Sequence, residues 1–167
     1  TLKDLLAMNP ANAEAHERLG QVYIRQKKLN EALTEFQSAE KLTIQNHEVR
    51  TKIGLIYFEQ GRFDDAIAQF AMVLSSRPND HRVRYYLATV HEEKKDFARA
   101  LEEFKKIPSN SPFYVDAQIQ QSIILEKQNK IEEAIQALKA AIRAKPDNAD
   151  LYRFLSSLYE KNNQHQE

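Results

Sequence analysis

The sequence has no cysteine, no tryptophan, only three glycines and only five prolines in 167 residues. Without cysteine there is no disulfide framework, no thiolate zinc site and no thiol nucleophile. That absence suits either side of a membrane, so cytoplasm and periplasm both stay open. The scarcity of glycine and proline leaves few strand or hairpin turns. Abundant alanine, leucine, glutamate, lysine and glutamine favour helix instead. Net charge is missing too, because 24 Lys+Arg balance 24 Asp+Glu. A balanced chain carries no footprint for a polyanion such as nucleic acid. The charges are interspersed as on a solvated helical surface, and the densest cluster is Glu92-Glu93-Lys94-Lys95. No apolar run approaches the roughly 18 residues that span a bilayer, so no membrane insertion is expected in this sequence.

What the sequence does contain is a period. Ala32, Ala66, Ala100 and Ala134 recur every 34 residues, and Phe36, Phe70, Phe104 and Leu138 do the same. Gly20 and Gly54 share that spacing, as do Tyr23 and Tyr57, with the register returning at Tyr159. Pro78, Pro112 and Pro146 form a fifth column, and Pro10 lies two periods upstream of Pro78. Within one period, Val49, Ile53, Ile56 and Tyr57 recur at helical spacing, followed by Phe63, Ala66, Ile67, Phe70 and Leu74. Each run is the apolar face of one helix. Glu59-Gln60-Gly61-Arg62 joins them, a connection short enough to force antiparallel neighbours. Gly54 and Ala66 fall where the two helices touch, Pro78 ends the second, and Asn79-Asp80 offers a cap for the next. A single hairpin cannot bury both its faces, so hairpins of this kind stack.

The pattern Leu-Gly-x2-Tyr, Ala-x3-Phe, Pro on this period resembles the tetratricopeptide repeat. Residues 47–80 match it best, through Ile53-Gly54, Tyr57, Ala66, Phe70 and Pro78. Full repeats are expected at 13–46, 47–80, 81–114 and 115–148. Residues 1–12 read as the end of a preceding repeat, and 149–167 as the first helix of a following one or a capping helix. The start at Thr1 and the polar finish read as a piece of a longer protein. The resemblance implies an all-α fold, an α-solenoid of antiparallel helix-turn-helix hairpins stacked in a right-handed superhelix. The family's tryptophan column is empty here, occupied by His16, Arg50, Arg84, Gln118 and Tyr152, which leans toward a bacterial source.

The same resemblance implies function as a protein-interaction scaffold or adaptor. In the family the first helices line a concave groove, through the second, fifth, ninth, twelfth and thirteenth positions of each repeat. Carried over, those positions give a candidate partner-binding strip of Ile24, Leu55, Phe58, Tyr85, Ile119 and Ile123. Glu59, Arg82, Thr89 and Glu92 flank it, with acidic residues outnumbering basic ones among the groove positions. Such a strip suits an extended or helical protein or peptide ligand with apolar anchors and some basic character. The plainer alternative is that these side chains pack adjacent first helices together. The family's chaperone carboxylate clamp is not expected, because its positions hold Glu17, Gln21, Lys52, Arg82 and Tyr86. Shifting by one repeat gives Thr51, Leu55, Tyr86, Asp116 and Gln120, which does not restore the clamp.

The junction between 81–114 and 115–148 departs from the pattern. Pro108 should end its helix near Ile107. Beyond it, Phe113 and Tyr114 are expected to fold back on the neighbouring helix. Gln121 and Ser122 stand where Leu-Gly is expected, and Leu125 where Tyr is. That is compatible equally with weaker packing at a flexible joint and with simple tolerance of polar residues there.

No catalytic, cofactor or metal equipment is apparent, and an enzyme is not expected. The histidines are His16, His47, His81, His91 and His165. The run from His91 to Lys95 opens like a zinc-protease helix but lacks the second histidine at i+4. No glycine-rich phosphate loop or nucleophile elbow exists, and Asp64-Asp65 reads as helix N-terminal charge. Two other roles remain open. One is a homo-oligomer that self-associates through the array ends, since Leu151, Leu155 and Leu158 would await a following helix. The other is an accessory domain of a larger enzyme. RNA binding of the pentatricopeptide kind is opposed by the 34-residue frame and the acidic groove.

Overall fold

The computed structural model describes residues 1–164. Among these residues it contains ten α-helices and no strand: α1 (Leu2–Met8), α2 (Ala13–Arg25), α3 (Leu29–Leu42), α4 (His47–Glu59) and α5 (Phe63–Ser76), then α6 (His81–Glu93), α7 (Phe97–Lys105), α8 (Tyr114–Lys127), α9 (Ile131–Ala144) and α10 (Ala149–Gln164). The chain divides into two compact units, Thr1–Asn79 and the stretch from Asp80 onward. In the first unit α2 packs on α3 and α4 on α5, with α3 against α4 and α1 against α2. In the second α6 packs on α7 and α8 on α9, with α7 against α8 and α10 against α9 and α8.

Helix starts are written in one column. Asn12, Asn46 and Asp80 each accept, through a side-chain oxygen, the backbone N–H three residues on, at Ala15, Val49 and Val83. Asn148 does the same for Leu151. These bonds satisfy helix donors that have no partner within the helix. The column breaks at Tyr114, where α8 begins after Phe113 without a side-chain cap. There the Ser111 hydroxyl accepts the Phe113 N–H instead.

The hairpin turns have a column of their own. Lys27, Gly61, Lys95 and Asn129 all take positive φ, at 58°, 72°, 62° and 60°. Each turn returns the next N–H to the preceding helix, Lys28 to Tyr23, Arg62 to Tyr57, Asp96 to His91 and Lys130 to Leu125. This is the left-handed cap that ends a helix and reverses the chain.

Small residues set the distance between paired helices. A Cβ on Gly54 would lie 2.6 Å from Phe70 Cε1, and one on Gly20 would lie 3.0 Å from the Phe36 ring. Phe36, Phe70 and Phe104 are fully buried, as are Ala32, Ala66 and Ala100 beside them. At three of the five positions where the family would place tryptophan, a polar side chain reaches a carboxylate on a second helix. Arg84 donates to Glu103 at 2.6 Å, His16 Nδ1 meets Glu35 at 2.6 Å, and Arg50 bridges Glu40 at 2.7 Å.

The end of α7 and the start of α8 follow the sequence expectation. α7 stops at Lys105, before Pro108, and Phe113 and Tyr114 turn inward, each half-buried against the core of this unit. α7 and α8 belong to one compact unit, and Gln121, Ser122 and Leu125 are buried in it. The apolar face of the last helix is covered within the chain. Leu151 and Leu158 are buried, at 0% and 3% exposure, and Leu155 packs on the same cluster. They face α9 rather than an open end, and the large side chains left exposed on α10 are Tyr152 and Tyr159.

Candidate functional site

The ten residues singled out from the sequence all lie on first helices of hairpins: Ile24 on α2, Leu55, Phe58 and Glu59 on α4, Arg82, Tyr85, Thr89 and Glu92 on α6, Ile119 and Ile123 on α8. Their environments differ between the two units.

In the first unit, Ile24 is 37% exposed on the last turn of α2. Leu55 and Phe58 are half-buried on α4, and Glu59 is exposed at its end. The Phe58 ring leans on Phe63 of α5 at 5.9 Å, tilted by 48°. Farther along the same face, Asn46 donates to Glu17 at 2.7 Å, tying α2 to the start of α4. The start of the face is thereby spent on holding the helices together, while Ile24, Leu55 and Phe58 keep apolar surface toward its turn end, where Arg25 and Glu59 are also exposed.

In the second unit more of the predicted strip is committed to packing. The Tyr85 ring stands edge-on to Phe104 at 5.4 Å and tilted to Phe113 at 5.9 Å. Burial pushes its phenol pKa up, partly offset by a hydrogen bond with Gln120 and reinforced by Asp116 and Glu92. Thr89 donates its hydroxyl to the Tyr85 carbonyl at 3.0 Å. Arg82 is half-buried. Ile119 packs against the cluster formed by α8, α9 and α10. Ile123, four residues on, is half-buried.

Charge at the turn end of this second face is paired. Glu92 of α6 bridges Lys127 of α8 at 3.0 Å, and Glu126 of α8 bridges Lys161 of α10. Each pair spans 35 residues, so the twelfth position of one hairpin meets the thirteenth of the next. Sequence reading counted Glu92 as acidic flank, while the structure neutralises it. The spacing of these pairs was readable, but pairing across successive first helices depends on how the hairpins stack.

Buried polar groups mark α8 and α6. Gln121, 3% exposed, has an amide nitrogen without a hydrogen-bond partner, and Ser122 returns its hydroxyl to Gln118 at 2.8 Å. His91, 6% exposed, fills the tyrosine column with Nδ1 lacking a hydrogen bond and Asp96 at 4.0 Å. Burial holds its pKa below the usual histidine value, against the pull of Asp96 and Glu103, with Arg99 and Lys94 acting in the same sense as burial. Among the described residues no group of three His, Cys, Asp or Glu could hold a metal ion, and His165 lies outside them. No helix among them is long and apolar enough to cross a membrane.

Comparison with known proteins matches this arrangement. A tetratricopeptide repeat model fits residues 51–115, and a TPR repeat model fits residues 20–61 and 124–163. No curated protein matches the sequence significantly. Among solved structures, the chain is similar to MamA, with 21% identity, a TM-score of 0.79, and coverage of 89% of this chain and 87% of that one. It is also similar to a tetratricopeptide repeat protein from Parabacteroides merdae, with 24% identity, a TM-score of 0.77, and coverage of 95% and 63%. A third is YrrB, described as a TPR protein with an unusual peptide-binding site, with 19% identity, a TM-score of 0.73, and coverage of 91% and 78%. Identities of this size speak for the fold alone.

Proposed function

The chain belongs to the tetratricopeptide repeat family, and from that premise we propose that it is a non-catalytic scaffold that binds a protein or peptide segment on the faces of its first helices. The reading takes 13–46, 47–80, 81–114 and 115–148 as the repeats that present those faces. One observation carries it. Leu55, Phe58 and Ile123 keep part of their surface exposed, although the hairpin cores are already filled by the alanine and phenylalanine columns. Large apolar side chains left at a helix face are the usual anchors for an extended or helical ligand. The peptide-binding site for which YrrB is described supports the same class of ligand.

The test is affinity capture from source lysate with the wild-type chain and with Phe58→Glu and Ile123→Glu variants of matched helicity. These half-buried positions are better probes than Tyr85, whose loss would disturb the Phe104 and Phe113 contacts. A polypeptide retained by wild type and lost with either variant supports the reading. Equal retention by all three chains overturns it.

A further inference from the structure

We infer that the ligand segment taken up by the first unit carries one lysine or arginine beside a large apolar side chain, its cation seated on Glu59 and its apolar group against Ile24 and Phe58. This deepens the proposed function and rests on the first-helix faces being binding faces.

The inference starts from the ion pairs of the second unit. There, the twelfth position of one hairpin and the thirteenth of the next hold Glu92 with Lys127, then Glu126 with Lys161. Both steps are closed by a bridge that the chain supplies to itself. The same two positions in the first unit, also 35 residues apart, are Ile24 and Glu59. The carboxylate is present at this step, but the position paired with it is an isoleucine, 37% exposed, which brings no charge. Phe58 stands one residue before Glu59, half-buried with its ring against Phe63. A carboxylate bordered by two apolar side chains strengthens its hold on a cation, because the neighbouring surface excludes water when a ligand covers it. Alkyl stems of lysine and arginine also lie well along such apolar surface.

Local charge limits the choice further. Arg25 is exposed at the thirteenth position on α2, the place that Glu59 occupies on α4. Lys27 and Lys28 are exposed in the turn that follows, so the α2 side of this end is basic. The end as a whole has no excess negative charge to collect a polybasic run. It selects a single cation on the α4 side, next to an apolar anchor.

The test uses a peptide array on a Gly-Ser background, varying an anchor (Phe or Ser) and a neighbouring residue (Lys, Gln or Glu). It is probed with the purified chain and with Glu59→Lys, Lys127→Glu and Phe58→Glu variants of matched helicity. Wild type should favour the Phe–Lys peptides over Phe–Glu by about tenfold, and Glu59→Lys should invert that order. Lys127→Glu, which opens the bridge in the other unit, should leave it unchanged. A preference indifferent to Glu59→Lys, or one that moves with Lys127→Glu, overturns the inference while leaving peptide binding intact. Retention that survives Phe58→Glu, or no retention of any peptide by wild type, counts against the groove reading itself.

Discussion

Two positions in the hairpin cores show how single side chains set helix spacing and stability. Glycine inside a helix ordinarily costs about 1 kcal/mol relative to alanine, so Gly54→Ala would stabilise if space allowed. Space does not allow it, because the new methyl would meet a fully buried Phe70 ring at 2.6 Å. Overpacking of this kind costs roughly 1–3 kcal/mol and outweighs the helix gain, so Gly54→Ala should lower the melting temperature. A rise would show that Phe70 can move aside. Gln121 presents the opposite case. Its column holds Leu19, Ile53, Leu87 and Leu155, and its buried amide nitrogen lacks a partner. Leaving such a group unsatisfied costs on the order of 1–3 kcal/mol, so Gln121→Leu should stabilise the chain in a denaturant titration. His91 adds a pH dependence. Its folded pKa lies below the unfolded value, so its neutral form is favoured on folding. The stability it contributes is complete above the unfolded value, about 6.5, and is lost as pH falls through the lower folded value. Thermal melts should weaken on acidification from neutral pH, and His91→Tyr, restoring the residue found at 23 and 57, should flatten that dependence.

At the scale of the helix and its turn, the positive-φ column gives the next prediction. The turn between α4 and α5 meets it with Gly61 and that between α8 and α9 with Asn129, but Lys27 and Lys95 hold the same conformation with a full side chain. A non-glycine residue there costs roughly 1–2 kcal/mol, partly returned by the lower entropy of its unfolded chain. Lys95→Gly should therefore stabilise the α6–α7 hairpin, measured as slower hydrogen exchange in those two helices, and faster exchange would contradict this account of the turn. The hairpins themselves were readable from the sequence, because the alanine, phenylalanine, glycine and tyrosine columns repeat without insertion. The left-handed turn column was not, since lysine at two of its four places hides the conformation. The caps at Asn12 and Asn46 share the register of Asp80, yet at the break α8 begins one residue early, at Tyr114. The candidate site was readable only in part. Position within the repeat placed all ten residues on first helices, but Tyr85 and Ile119 serve packing through Phe104, Phe113 and the α9–α10 cluster. Glu92 likewise serves a bridge to Lys127. Those partners lie on other helices, and their approach depends on stacking rather than on local pattern.

Across the whole molecule, the central claim is that first helices bind and second helices support them. The fully buried phenylalanines, Phe36, Phe70 and Phe104, all lie on second helices, where they fix the hairpin. Partly exposed Leu55, Phe58 and Ile123 stand on first helices, where they can meet a ligand. The most direct measurement is hydrogen exchange, helix by helix, on the chain alone and bound to a polypeptide captured from lysate. The account predicts slowed exchange in α4 and in at least one of α2 and α8, with α3, α5, α7 and α9 unchanged. Protection confined to those second helices, or to the Pro108–Phe113 loop, would contradict it.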